Sequence, residues 1–98
     1  MKKFLTTDEV ERYCSLNYGK GLRTIRLYQT EGIVECPHIK REDNKVGNGN
    51  AVYPFDEIFI KMEIMNFFSR IGQSPLSAKK FILNNKETIE KWKDEVRQ

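Results

Sequence analysis

Long apolar runs, cysteine pairs, histidine clusters and glycine-rich phosphate loops are all missing from this sequence, and each absence removes a class of function. The only two cysteines, Cys14 and Cys36, form neither a CxxC pair nor a disulfide framework, which points to free thiols and an intracellular protein. The single histidine, His38, lies two residues from Cys36 without the further ligands that a metal site needs, so no metal or other cofactor is expected. No serine sits in a nucleophile elbow and no glycine-rich loop follows a strand, so no enzyme is expected. Met1-Lys2-Lys3-Phe4 begins with positive charge but meets Thr6, Thr7, Asp8 and Glu9 where a signal peptide would require an apolar stretch. With nothing approaching a membrane span, the expectation is a cytoplasmic protein without a membrane partner.

What is present is modest in size. At 98 residues the chain reads as a single domain, 1–98, with room for one core but not for a binding domain plus a separate effector domain. The formal charge of +3 is small. Residues 55–98 carry eight Lys/Arg against seven Asp/Glu, which leaves most of the positive excess toward the N-terminus.

Hydrophobic spacing divides the chain further. Thr6-Thr7-Asp8-Glu9 supplies N-cap candidates ahead of Val10, Tyr13 and Cys14, predicting a first helix from about Thr7 to Ser15. Asn17-Tyr18-Gly19-Lys20-Gly21 has turn composition, and a second helix is expected from Lys20–Leu22 to Glu31, with Gly32 in the left-handed position that ends it. Residues 33–40 and 51–53 are β-compatible around a polar, glycine-punctuated loop, predicting a β-ribbon with Pro37 on an edge strand. Pro54 closes that unit, and Phe55 opens a third helix to about Ile71 that is apolar on more than one stripe and needs cover on most sides. Gly72-Gln73-Ser74-Pro75 breaks it before a fourth helix bearing Leu76, Phe81, Ile82 and Leu83. A short last helix carries Ile89, Trp92 and Val96.

The most telling segment is 22–34. Ile25 and Tyr28 are spaced to face a core, while Arg23, Arg26 and Gln29 repeat the same interval on a neighbouring face. From Lys20 to Gln29 no acid or proline intervenes, so three cations project from about two helical turns without internal neutralisation. A phosphate backbone is the natural counter-charge.

The wording of the segment narrows this reading. Thr24-Ile25-Arg26-Leu27-Tyr28-Gln29-Thr30-Glu31-Gly32-Ile33-Val34 resembles the segment of the MerR-type winged-helix family, which includes excisionase-like members, that covers the second helix and the start of the wing. Gly49 to Tyr53 and then Phe55-Asp56-Glu57-Ile58 fall where that family closes its wing and opens the next helix, and Gly72 to Leu76 where it opens another. The resemblance spans about Leu5 to Leu83 through several motifs in the right order. It implies a mainly α fold with a small β-ribbon: a winged helix-turn-helix (7–31 and wing 33–53) followed by a helical hairpin and a short C-terminal helix within 55–97. There are departures. The turn from Ser15 to Leu22 reads as longer than usual, and Asn50 and Ala51 replace the Tyr-Arg pair that the family's wing directs at phosphate. The wing is also lengthened, with Lys40, Arg41 and Lys45 as substitute cations. No coiled-coil helix or sensing region follows the core, so no small-molecule effector is expected.

The expected function is sequence-specific binding of double-stranded DNA by a MerR-like transcriptional regulator without an effector domain, acting as a homodimer or cooperative assembly. Helix 22–31 would read the major groove and the wing the backbone or minor groove. The expected contacts are Lys20, Arg23, Thr24, Arg26, Tyr28, Gln29, Lys40, Arg41, Lys45 and Asn50. Tyr28 has two readings, a core residue with its hydroxyl at the rim or, as the resemblance implies, a neighbour of the DNA backbone. Two alternative functions stand: an excisionase-like architectural accessory factor of a mobile element, and a protein-interaction module built on a winged-helix core.

Overall fold

The computed structural model describes residues 3–40 and 50–97, and within these the chain is mainly helical with a small antiparallel sheet. The order is β1 (Phe4–Thr6), α1 (Thr7–Tyr18), α2 (Leu22–Thr30), β2 (His38–Lys40), β3 (Asn50–Pro54), α3 (Phe55–Arg70), α4 (Pro75–Asn84) and α5 (Lys86–Arg97). The sheet has the order β1-β3-β2, with Leu5 opposite Tyr53 on one edge and Ile39 opposite Ala51 on the other.

Local chemistry accounts for most boundaries. Thr6 caps α1 in a reciprocal box: the Glu9 amide donates to Thr6 Oγ1 at 3.2 Å, and the Thr6 amide donates to Glu9 Oε1 at 2.9 Å. Gly19, at φ 65°, ends the helix with its amide on the Ser15 carbonyl, and the Lys20 amide reaches the Cys14 carbonyl. Ser74 accepts from the Ser77 amide at 3.3 Å and Pro75 occupies the first turn of α4, where its missing N–H costs nothing. Phe55 continues directly from β3, and its amide donates to the Lys3 carbonyl.

α3 is the central element and packs on α1, α4, α5 and β3. Its Ile58, Met62, Ile64 and Met65 are buried on different sides, as the multiple apolar stripes required. Val10 and Cys14 of α1 and Ile25 of α2 are fully buried, and Ile82 and Ile89 bring α4 and α5 into the same core.

Three expectations need correction. α1 runs on to Tyr18, so the turn shrinks to residues 19–21 rather than extending from Ser15 to Leu22. The extra turn is held by Asn17 Nδ2 on the Tyr13 carbonyl and by the Tyr18 hydroxyl, which donates to Glu63 of α3 at 2.9 Å. Burial, with the hydrogen bonds that Tyr18 shares with Tyr13 and donates to Glu63, pushes the Tyr18 phenol up and keeps it neutral. The expected strand from Ile33 begins only at His38. The Ile33 and Val34 amides both donate to the Tyr28 carbonyl, and both side chains are 1% exposed, so these residues wrap the end of α2 instead of alternating along a ladder. Finally, β1 was not anticipated, because three residues with one inward Leu5 carry too little alternation to register as a strand.

Candidate nucleic-acid interface

α2 is short and strongly two-sided. Ile25 is completely buried and Tyr28 is 7% exposed, which turns Arg23, Arg26 and Leu27 outward. These three, with Thr30, form a single stripe at helical spacing, and Lys20 stands exposed in the turn just before it. Among the described residues neither guanidinium meets a carboxylate, so both charges remain free for an external anion. Gly21 caps the helix without a side-chain hydrogen bond, and no acid occupies the first turn, which leaves that end electropositive.

The remaining expected contacts divide. Thr24 is half-buried. Gln29 is also half-buried, and its amide donates to the Glu35 carbonyl at 3.4 Å, which turns it toward the chain leaving α2. Tyr28 resolves to its core reading: burial raises its phenol above the ordinary range, and Lys79 of α4 lies 5.7 Å from its ring centre. Lys40 and Asn50 are backbone partners at the end of the β2–β3 pair. Arg41 and Lys45 lie outside the described residues. Leu27, which sequence reasoning passed over, is 53% exposed on the outward stripe; its interval of four from Arg23 was the available signal.

Side chains from elsewhere fix the direction in which the chain leaves α2. Glu31 pairs with Lys79 at 2.8 Å, tying the helix end to α4. Gly32, at φ 77°, makes the reversal. A buried ion cluster then takes over. Lys61 Nζ donates to the Ile33 carbonyl at 2.6 Å and to Glu57 Oε2 at 2.9 Å, and the same oxygen accepts the Glu35 amide at 2.7 Å. Lys93 of α5 lies 2.5 Å from Glu57 Oε1 as an ion pair and 2.9 Å from Glu90. Burial pushes the Glu57 carboxyl up, but Lys61, Lys93 and the Glu35 amide outweigh it and hold the group below the ordinary glutamate range. Near it, Arg97 Nε donates to Asp56 Oδ2 at 2.6 Å, a second tie from α5 to α3. This cluster was not among the features expected from the sequence. The i,i+4 pair Glu57–Lys61 on an otherwise apolar helix was a signal, whereas Lys93 had none.

A second surface feature is apolar. Ile60, Ile64, Phe67, Phe68, Phe81 and Trp92 line a groove of about 390 Å³ among α3, α4 and α5, with Phe67 58% exposed. Among the described residues no group of three or more Cys, His, Asp or Glu is placed to hold a metal ion, and no helix is long and apolar enough to cross a membrane.

Comparison with protein-family models, curated proteins and solved structures returned no match to this chain.

Proposed function

We propose that this chain is a sequence-specific DNA-binding protein of winged-helix design, with α2 in the major groove and the β2–β3 ribbon on the flanking backbone or minor groove. The observation that carries the reading is the outward stripe of Arg23, Arg26 and Leu27 beside Lys20, on a helix whose other face is locked into the core. Arginine forks suit guanine edges or phosphate, Leu27 suits a thymine methyl, and the uncapped start of α2 suits a phosphate oxygen. Three cations and one short helix give few contacts, so tight binding calls for a homodimer or for cooperative neighbours on the duplex. The role that fits is a cytoplasmic transcriptional regulator or, as an alternative, an excisionase-like accessory factor that bends DNA.

The test is selection from a randomised duplex pool at two salt concentrations, followed by sequencing. Enrichment of a defined motif, with binding that weakens steeply as salt rises, is the expected result. No enrichment, with negligible binding even at low salt, would reject it. The aromatic groove favours a second reading, a protein-interaction module docking an apolar partner segment. Partner binding indifferent to salt, without DNA affinity, would mark that reading as correct.

A further inference from the structure

We propose that α5 acts as a strap that sets the path of the chain between α2 and the ribbon, with Lys93 and Glu57 as positioning residues for the interface. The inference extends the DNA-binding proposal to residues that touch no DNA.

Residues 31–37 join the exposed helix to β2 without regular structure, so their course depends on where their backbone groups bond. The Ile33 and Val34 amides are taken by the Tyr28 carbonyl. The Ile33 carbonyl and the Glu35 amide are taken instead by two α3 side chains, Lys61 and Glu57. A buried carboxylate that loses one of its cations is left with uncompensated charge, which favours its turning toward water. Lys61 meets one oxygen of Glu57, and the cation at the other is Lys93, which arrives from α5 with its side chain 4% exposed. Glu35 itself lies 3.7 Å from Lys93 through Oε1, so α5 touches the junction directly as well as through Glu57. Ile89, buried one turn before Lys93, seats the strap, and Arg97 on Asp56 fastens its far end. Displacing Lys93 would free the Glu57 carboxylate to turn toward water and release the Glu35 amide, and the ribbon would lose its fixed angle to α2.

The experiment uses the full chain. Amide hydrogen exchange is followed by NMR at Glu35 and, as an internal reference in the α2 core, at Ile25, in wild type, Lys93→Met and Lys93→Arg. Affinity for the duplex selected above is measured alongside. Lys93→Met is expected to speed exchange at Glu35 about tenfold relative to Ile25, the scale of losing one charge-assisted hydrogen bond, and to weaken DNA binding comparably. Lys93→Arg, which keeps the charge, is expected to restore both. Equal protection of Glu35 in wild type and Lys93→Met would overturn the inference. Should Lys93→Met fail to fold, Arg97→Gln loosens the same helix from its exposed end, and selective loss of protection at Glu35 is again required. If the wild-type chain binds no DNA, the functional proposal falls while the exchange comparison still decides whether α5 holds the junction.

Discussion

Arg23 and Arg26 are exposed and have no carboxylate in reach among the described residues, whereas Lys61, Lys79, Lys93 and Arg97 are each paired. Replacing both arginines with alanine removes charge without removing packing, and alanine favours the helix. The double variant is expected to keep its far-UV spectrum and to lower the slope of log K against log salt by about two, one for each phosphate no longer neutralised. An unchanged slope would remove α2 from the interface. Cysteine chemistry separates two environments in the same way. Burial pushes the Cys14 thiol up to about 11, while Cys36 is exposed. One rapid equivalent of thiol reagent is expected at neutral pH, with the second reacting only on unfolding. Two rapid equivalents would contradict the burial of α1 against the core.

At the scale of elements, caps and turns account for much of the order. Gly32 turns the chain off α2 at φ 77°, and a Cβ there would meet nothing within 4 Å. Gly32→Ala therefore costs backbone strain alone, about 1–2 kcal/mol, measurable as a lower urea midpoint. No loss of stability would mean that the left-handed turn is dispensable. Thr6→Ala breaks the box at the start of α1 and is expected to cost about 1 kcal/mol by the same assay. The cap of α1 and the glycine after α2 were legible in the sequence because they depend on residues within a few positions of one another. The short strand β1 was not, since three residues become a strand only when β3 lies alongside to take their hydrogen bonds.

For the whole molecule, the cluster around Glu57 joins α3, α5 and the chain leaving α2, so its titration is a property of the assembled fold. Its folded pKa lies below the ordinary glutamate value of 4.5. The associated stability is therefore fully present above 4.5 and is lost as pH falls through the lower folded value. Glu9, held down by its hydrogen bonds with Thr6, adds in the same direction. The urea midpoint is expected to drop below pH 4.5, and Glu57→Gln, though less stable at neutral pH, should show a shallower acid dependence. The same dependence in both proteins would assign the effect elsewhere.

The sequence by itself determined the helices, their order and the outward Arg23–Arg26 stripe against an inward Ile25, because spacing on a helix sorts side chains before any partner is present. Tertiary structure decided where Tyr28 and Gln29 point, that Ile33 and Val34 wrap α2 instead of pairing as a strand, and that α5 brings Lys93 to Glu57. Those outcomes join groups distant along the chain, and a buried charge acquires its meaning only from the groups that the fold carries to it.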